Sequence, residues 1–186
     1  MPKLTLIKNS GVIPQARLLL SPNFDLRPDP NDISLLVIHN ISLPPGKFGG
    51  NEIADFFCNQ LDSSQHPFFS EIKEMKVSAH LLIDRKGELS QFVPLHKRAW
   101  HAGQSCFLGR EQCNDFAIGI ELEGSDNTPY TQEQYRVLAD VTHLIMQHYP
   151  AITCERITGH ESISPERKTD PGPAFDWSRY RKSLVP

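Results

Sequence analysis

Nowhere in its 186 residues does the chain carry an apolar run approaching the ~20 residues that cross a bilayer. Leu18-Leu19-Leu20 and Leu35-Leu36-Val37-Ile38 are the nearest candidates, so no membrane partner is expected. Cysteine is sparse and unpatterned: Cys58, Cys106, Cys113 and Cys154 form no CxxC pair, which argues against a disulfide framework or a cysteine-rich zinc module and for free thiols acting as small hydrophobes. No charge of one sign dominates, with 22 acidic against 19 basic side chains. That balance speaks against a general nucleic-acid or anionic-membrane binder. Internal repeats, low-complexity tracts and linkers are missing as well. The opening Met1–Lys8 is interrupted by Lys3 and Lys8 before a signal-peptide core develops, and the expectation is a cytosolic protein.

What is there fits one domain spanning 1–186, with 39% hydrophobic and 22% charged residues, a composition typical of a globular protein. The 15 prolines predict many sharp chain reversals. Residues 1–33 show weak periodicity and read as an irregular lead-in. Leu35–Ile38 suits a strand buried on both faces, ending at His39-Asn40. Helical spacing follows in Ile53, Phe56, Phe57 and Leu61 after a possible cap at Asn51. Val77–Ile83, the turn Arg85-Lys86-Gly87 and Leu89–Val93 read as a hairpin, and Phe116–Glu123 as a further strand. Thr131 and Gln134 form a capping box ahead of the helical stripe Val137, Leu138, Val141, Leu144 and Ile145, which Pro150 ends. Ile157-Thr158 gives a short run before His160, and a terminal helix starts near Asp176. Strands alternating with helices, one hairpin included, predict an α/β domain with a central mixed sheet flanked by helices.

Of eight histidines, His39 and His160 each close a short buried-type run and lead into an irregular loop. Such strand ends are where α/β sheets present ligands. On spacing alone His80 and His101 compete with them. Asp170, in Arg167-Lys168-Thr169-Asp170-Pro171-Gly172, has two readings: the carboxylate of a three-ligand zinc site, or a turn cap before Pro171-Gly172. Glu121 and Glu123 share one strand face, roughly 6–7 Å apart, and so are a possible glycosidase pair or an exposed polar edge.

The segments Leu36–Asn40, Val77–His80, Arg98–Gly103, Ile118–Gly124 and Thr158–His160, in that order, with Arg167–Trp177, resemble the zinc-dependent N-acetylmuramoyl-L-alanine amidases. That superfamily also holds phage amidase-lysozymes and peptidoglycan-recognition proteins. The Arg167–Trp177 run is most similar to the branch acting on 1,6-anhydromuramyl peptides in cytosolic wall recycling. The resemblance implies one zinc ion held by His39, His160 and Asp170, with Glu121 as catalytic base and Lys168 as the cation near the scissile carbonyl. It implies an anhydro-muropeptide substrate met by Asn40, Ala99, Trp100 and the positions of Lys76 and Gln112, where relatives often carry arginines. Lysine keeps the charge without the fork, and glutamine loses the charge. A monomer is expected. The competing functions are a Glu121/Glu123 glycosidase and a non-catalytic muropeptide-binding module.

Overall fold

A strand with no polar side needs cover on both faces, and Leu35–Ile38 receives it at the centre of the molecule. The computed structural model describes residues 3–185; residues 1, 2 and 186 of the expected span lie outside the described residues. Six strands, β1 (Arg17–Leu18), β2 (Leu35–Ile41), β3 (Leu81–Ile83), β4 (Leu89–Gln91), β5 (Ala117–Glu123) and β6 (Ile157–Gly159), lie in the order β1-β4-β3-β5-β2-β6. Strands β3, β5, β2 and β6 run parallel, while β4 is antiparallel to β3 and β1 follows β4. The mixed sheet is the expected one. Seven residue pairs from Leu35↔Ala117 to Ile41↔Glu123 set the β2–β5 register and put His39 opposite Glu121.

Among the described residues five α-helices accompany the sheet: α1 (Glu52–Phe57), α2 (Pro67–Ile72), α3 (Gln132–His148), α4 (His160–Ile163) and α5 (Trp177–Ser183). Alternation sends Leu36, Ile38, Ile118, Ile120 and Leu122 to one face, where they pack on the α3 stripe and Tyr180 of α5. The opposite face carries Leu35, Val37 and Ala117 against Phe116, Ala102 and Ile163. On the same side, Leu82 meets Ile53, Phe56, Phe57, Phe69 and Phe92.

Several boundaries differ from the sequence reading. Strand β2 does not end at His39-Asn40 but continues to Ile41, because pairing with β5 persists to Glu123. The hairpin strands are shorter than expected, and α1 ends at Phe57 with Asn51 making no side-chain cap. Helix α2 was not anticipated: Pro67 is its first residue and His66 caps it, Nδ1 accepting the Phe68 N–H at 3.1 Å. The lead-in is not wholly irregular either. It supplies β1, a two-residue ribbon pairing Phe24–Asp25 with Arg98–Ala99, and the buried Arg27. Arg27 donates to the carbonyls of Asn114 and Asp115 at 3.1 Å each and of Ala117 at 2.8 Å.

The capping box of α3 forms as read: Thr131 Oγ1 accepts the Gln134 N–H and Gln134 Oε1 accepts the Thr131 N–H, both at 3.1 Å. Thr131→Ala should therefore lower stability by about 1 kcal/mol, read as a drop in the thermal midpoint.

His80 is fully buried, its Nδ1 accepting the Gly119 N–H at 3.0 Å and its Nε2–H donating to the Lys97 carbonyl at 3.0 Å. Burial, with the Arg27 charge beside it, pushes its pKa down to about 3. Between the ordinary histidine value near 6.5 and that point, the unfolded chain binds a proton that the folded chain refuses. Stability should fall as pH drops through this window, by up to about 1.4 kcal/mol per pH unit for this group. A urea midpoint declining below pH 6.5, and declining less steeply in His80→Gln, is the expected result.

Candidate metal centre and active site

Strands β5, β2 and β6 are neighbours and parallel, so their carboxyl ends open on one edge of the sheet, where such folds seat ligands. Glu121 and His39 stand at the ends of β5 and β2, and His160 follows β6 as the first residue of α4. Asp170 reaches the same point from the loop beyond α4. His39 Nδ1 lies 3.0 Å from His160 Nδ1 and 3.0 Å from Asp170 Oδ2, and His160 Nδ1 lies 3.1 Å from the same oxygen. Among the described residues this is the one group of three histidine, cysteine or acidic side chains whose ligand atoms converge.

The donor set fits a metal ion. The Ala102 carbonyl, 3.1 Å from His160 Nε2, can only accept, so that nitrogen carries a proton and Nδ1 is the ring atom left to serve as a ligand. Burial pushes the His39 pKa down to about 4, which keeps its ring neutral at pH 7. Asp170 Oδ2, within 3.1 Å of both ring nitrogens, supplies the negative charge of the set. Two imidazoles and one carboxylate are a common three-ligand set of catalytic sites that keep a position open. His80 and His101, the rivals on spacing, are not in the triangle. His80 spends both nitrogens on backbone groups, and His101 contacts the other side of His39, Nδ1 to Nε2 at 3.0 Å.

The Asp170 loop is fastened at several points. Glu161 donates its N–H to the Asp170 carbonyl at 2.9 Å. The Pro171 carbonyl accepts from Asn40 Nδ2 at 3.1 Å and from the Tyr130 hydroxyl at 2.7 Å. Gly172, at φ +79°, lies directly against the Asp126 backbone, where a side chain would collide. Asn40 also donates to Asp126 at 2.9 Å, so both of its amide hydrogens serve the loop. Arg167 ties the region down by donating to the Ala102 and Gln104 carbonyls at 2.7 and 2.9 Å.

The two strand carboxylates have different surroundings. Glu123 is buried and both oxygens are engaged, Oε1 by the Gly49 N–H at 2.6 Å and Oε2 by the Arg85 N–H at 3.0 Å. Glu121 is buried too, but its Oε2 meets no hydrogen-bond partner among the described residues. Burial, and then the negative charge of Asp170, raise its pKa well above the usual value, with the Lys168 ammonium opposing them. Lys168 is half-buried and its charge acts on both Glu121 and His39. An unpaired carboxylate beside a three-ligand cluster and a cation can move a proton; a carboxylate with both oxygens occupied is a brace.

The remaining sequence candidates lie outside the triangle. Ala99 is buried and pairs with Phe24; Trp100 is half-buried, its backbone N–H donating to Ser78 Oγ at 3.1 Å and its indole N–H buried without a partner. Lys76 and Gln112 are exposed. Gln112, with a left-handed backbone at φ +57°, borders an open pocket of about 350 Å³ with Gln104, Cys106 and Arg167. Sequence reasoning assigned no role to Arg167, Asn114, Asp126 or Tyr130. Arg167, Asn114 and Tyr130 act on backbone carbonyls and N–H groups, and Asp126 on the Asn40 amide, contacts that leave no motif of their own.

A model of the N-acetylmuramoyl-L-alanine amidase family matches residues 29–173. The 1,6-anhydro-N-acetylmuramyl-L-alanine amidase AmpD of Haemophilus influenzae is 58% identical over 174 residues, covering 94% of this chain and 95% of that protein. A crystal structure of a selenomethionine AmpD derivative superposes with a TM-score of 0.92 at 55% identity, covering 95% of this chain and 98% of the other. The amidase AmiD of Escherichia coli, solved with the substrate anhydro-N-acetylmuramic acid-L-Ala-D-gamma-Glu-L-Lys, gives a TM-score of 0.61 at 30% identity over 83% of this chain and 58% of that one. With most of its length matched by the family model, the chain belongs to the N-acetylmuramoyl-L-alanine amidase family.

Proposed function

We propose that the protein hydrolyses the amide between 1,6-anhydro-N-acetylmuramic acid and the L-alanine of the stem peptide, with one zinc ion held by His39, His160 and Asp170. The observation that carries this reading is the unpaired, buried oxygen of Glu121 beside three converging ligand atoms. The names and the bound substrate of the similar amidases support the choice of substrate. When bound, zinc would polarise the scissile carbonyl and acidify a water molecule.

The chain's own residues do the rest. Glu121 acts as the carboxylate, with the Lys168 ammonium opposing its burial; it accepts a proton from the attacking water, holds it because its pKa is raised, and delivers it to the departing L-alanine nitrogen. Water oxygen bonds to the carbonyl carbon, the C–N bond breaks, and a muramyl acid and a free amine leave. Lys168 stabilises the negative charge that develops on the carbonyl oxygen. Trp100, half-buried, offers a flat apolar face to the sugar, while Ala99 holds it in register with Phe24. The Asn40 amide hydrogens are already taken, so its contribution to substrate is through Oδ1. The stem peptide runs toward Gln112 and the ammonium of Lys76. Four free cysteines support a reducing, cytosolic setting for the reaction.

A Glu121/Glu123 glycosidase lacks its second acid, since both Glu123 oxygens are occupied by backbone N–H groups. Incubation with anhydro-muropeptide should yield two fragments by mass spectrometry, and chelation should stop it; sugar–sugar cleavage, or binding without turnover, would support the alternatives. Glu121→Gln, isosteric but unable to take the proton, should leave no more than about 1% of the rate, since general acid–base catalysis typically contributes 10²–10⁴-fold. Lys168→Ala should lower kcat about 10²–10³-fold while leaving KM little changed.

A further inference from the structure

Beneath the metal-binding triangle lies a histidine that neither ligates nor reacts. His101 Nδ1 stands 3.0 Å from His39 Nε2, the two rings edge to face with centroids 5.0 Å apart. We propose that His101 is a positioning residue for the metal centre: it accepts the Nε2 proton of His39 and thereby fixes the tautomer that turns a bare Nδ1 toward His160 and Asp170. The proposal rests on the metal-site reading above and assigns to it a determinant of metal affinity.

Two independent features place this ring. Gly119, on β5 between Ala117 and Glu121, lies under it, and a Cβ there would stand 2.5 Å from His101 Cγ, so the absence of a side chain makes the seat. Asn114 Oδ1 accepts the backbone N–H groups of both His101 and Ala102, at 3.1 and 2.8 Å. The same two residues thus serve both metal-binding imidazoles, His101 through its ring to His39 and Ala102 through its carbonyl to His160. Neighbouring His80 cannot take over, because its two nitrogens already serve the Gly119 N–H and the Lys97 carbonyl.

The proton arrangement matters because the pair is ambiguous by itself. If His101 donated from Nδ1, His39 would keep its proton on its own Nδ1 and the ligand lone pair would be lost. With His101 as acceptor, its proton sits on Nε2, a buried atom without a hydrogen-bond partner among the described residues. A phenylalanine would fill the same space and strand no polar atom, so packing does not account for a histidine here. Orienting partners of this kind typically change metal affinity by 10–100-fold.

The test is zinc affinity, measured by competition with a chelator, for the full chain and for His101→Phe, His101→Asn and Gly119→Ala, with circular dichroism on each metal-free protein. His101→Phe keeps the ring but loses the acceptor and should bind zinc about 10–100-fold more weakly. His101→Asn, whose side-chain oxygen can stand near the Nδ1 position, should retain most of the affinity. Gly119→Ala, which displaces the ring, should resemble the phenylalanine variant. Equal affinity in His101→Phe and the unaltered protein overturns the proposal, as does an asparagine variant no better than phenylalanine. An unaltered protein that takes up no zinc overturns the metal-site reading, and this one with it. Should the phenylalanine variant fail to fold, nitrogen-15 spectra of the unaltered zinc-loaded protein decide: His101 protonated on Nε2 and bare on Nδ1 supports the proposal, and the reverse refutes it.

Discussion

Everything in this molecule turns on holding three electron-rich atoms about 3 Å apart, two imidazole nitrogens and a carboxylate oxygen. Left alone, such atoms repel, or share protons in ways that scatter their geometry. They stay together because each is fixed from behind. The β2–β5–β6 register aligns His39 and His160, the Ala102 carbonyl orients one ring, and Glu161, Asn40 and Tyr130 pin the loop that carries Asp170.

The two glutamates of β5 show how location decides chemistry. Alternation puts both on the face that carries His39, two residues apart. Glu123 is consumed by the Gly49 and Arg85 N–H groups and joins two loops to the sheet. Glu121 is left in a dry place with one oxygen free and a negative neighbour, conditions that favour its protonated form. Residue type and spacing presented the two as equals, and only the backbone donors brought in by distant loops separate them.

Much of this architecture was legible in the chain. The continuous apolar run of β2, the Thr131/Gln134 box and the stripe on α3 are local signals backed by tertiary packing. His39 and His160 drew attention because each closes a short apolar run, and Asp170 as a carboxylate in the loop after His160, though residue patterns alone left Asp170 between ligand and turn cap. Other features were hidden because they depend on partners remote in sequence. The extension of β2 to Ile41 needs β5, α2 is capped by a histidine instead of a common capping residue, and Arg27 binds carbonyls some ninety positions away. His101 was visible as a rival ligand, while its contact with His39 and the seat made by Gly119 emerge only when the strands are side by side.

The most direct test of the central claim is a crystal grown with zinc and measured on both sides of the zinc absorption edge. The account predicts one strong anomalous peak within bonding distance of His39 Nδ1, His160 Nδ1 and an Asp170 carboxylate oxygen. A map without that peak, or with the ion bound elsewhere while the three side chains keep their positions, would contradict it.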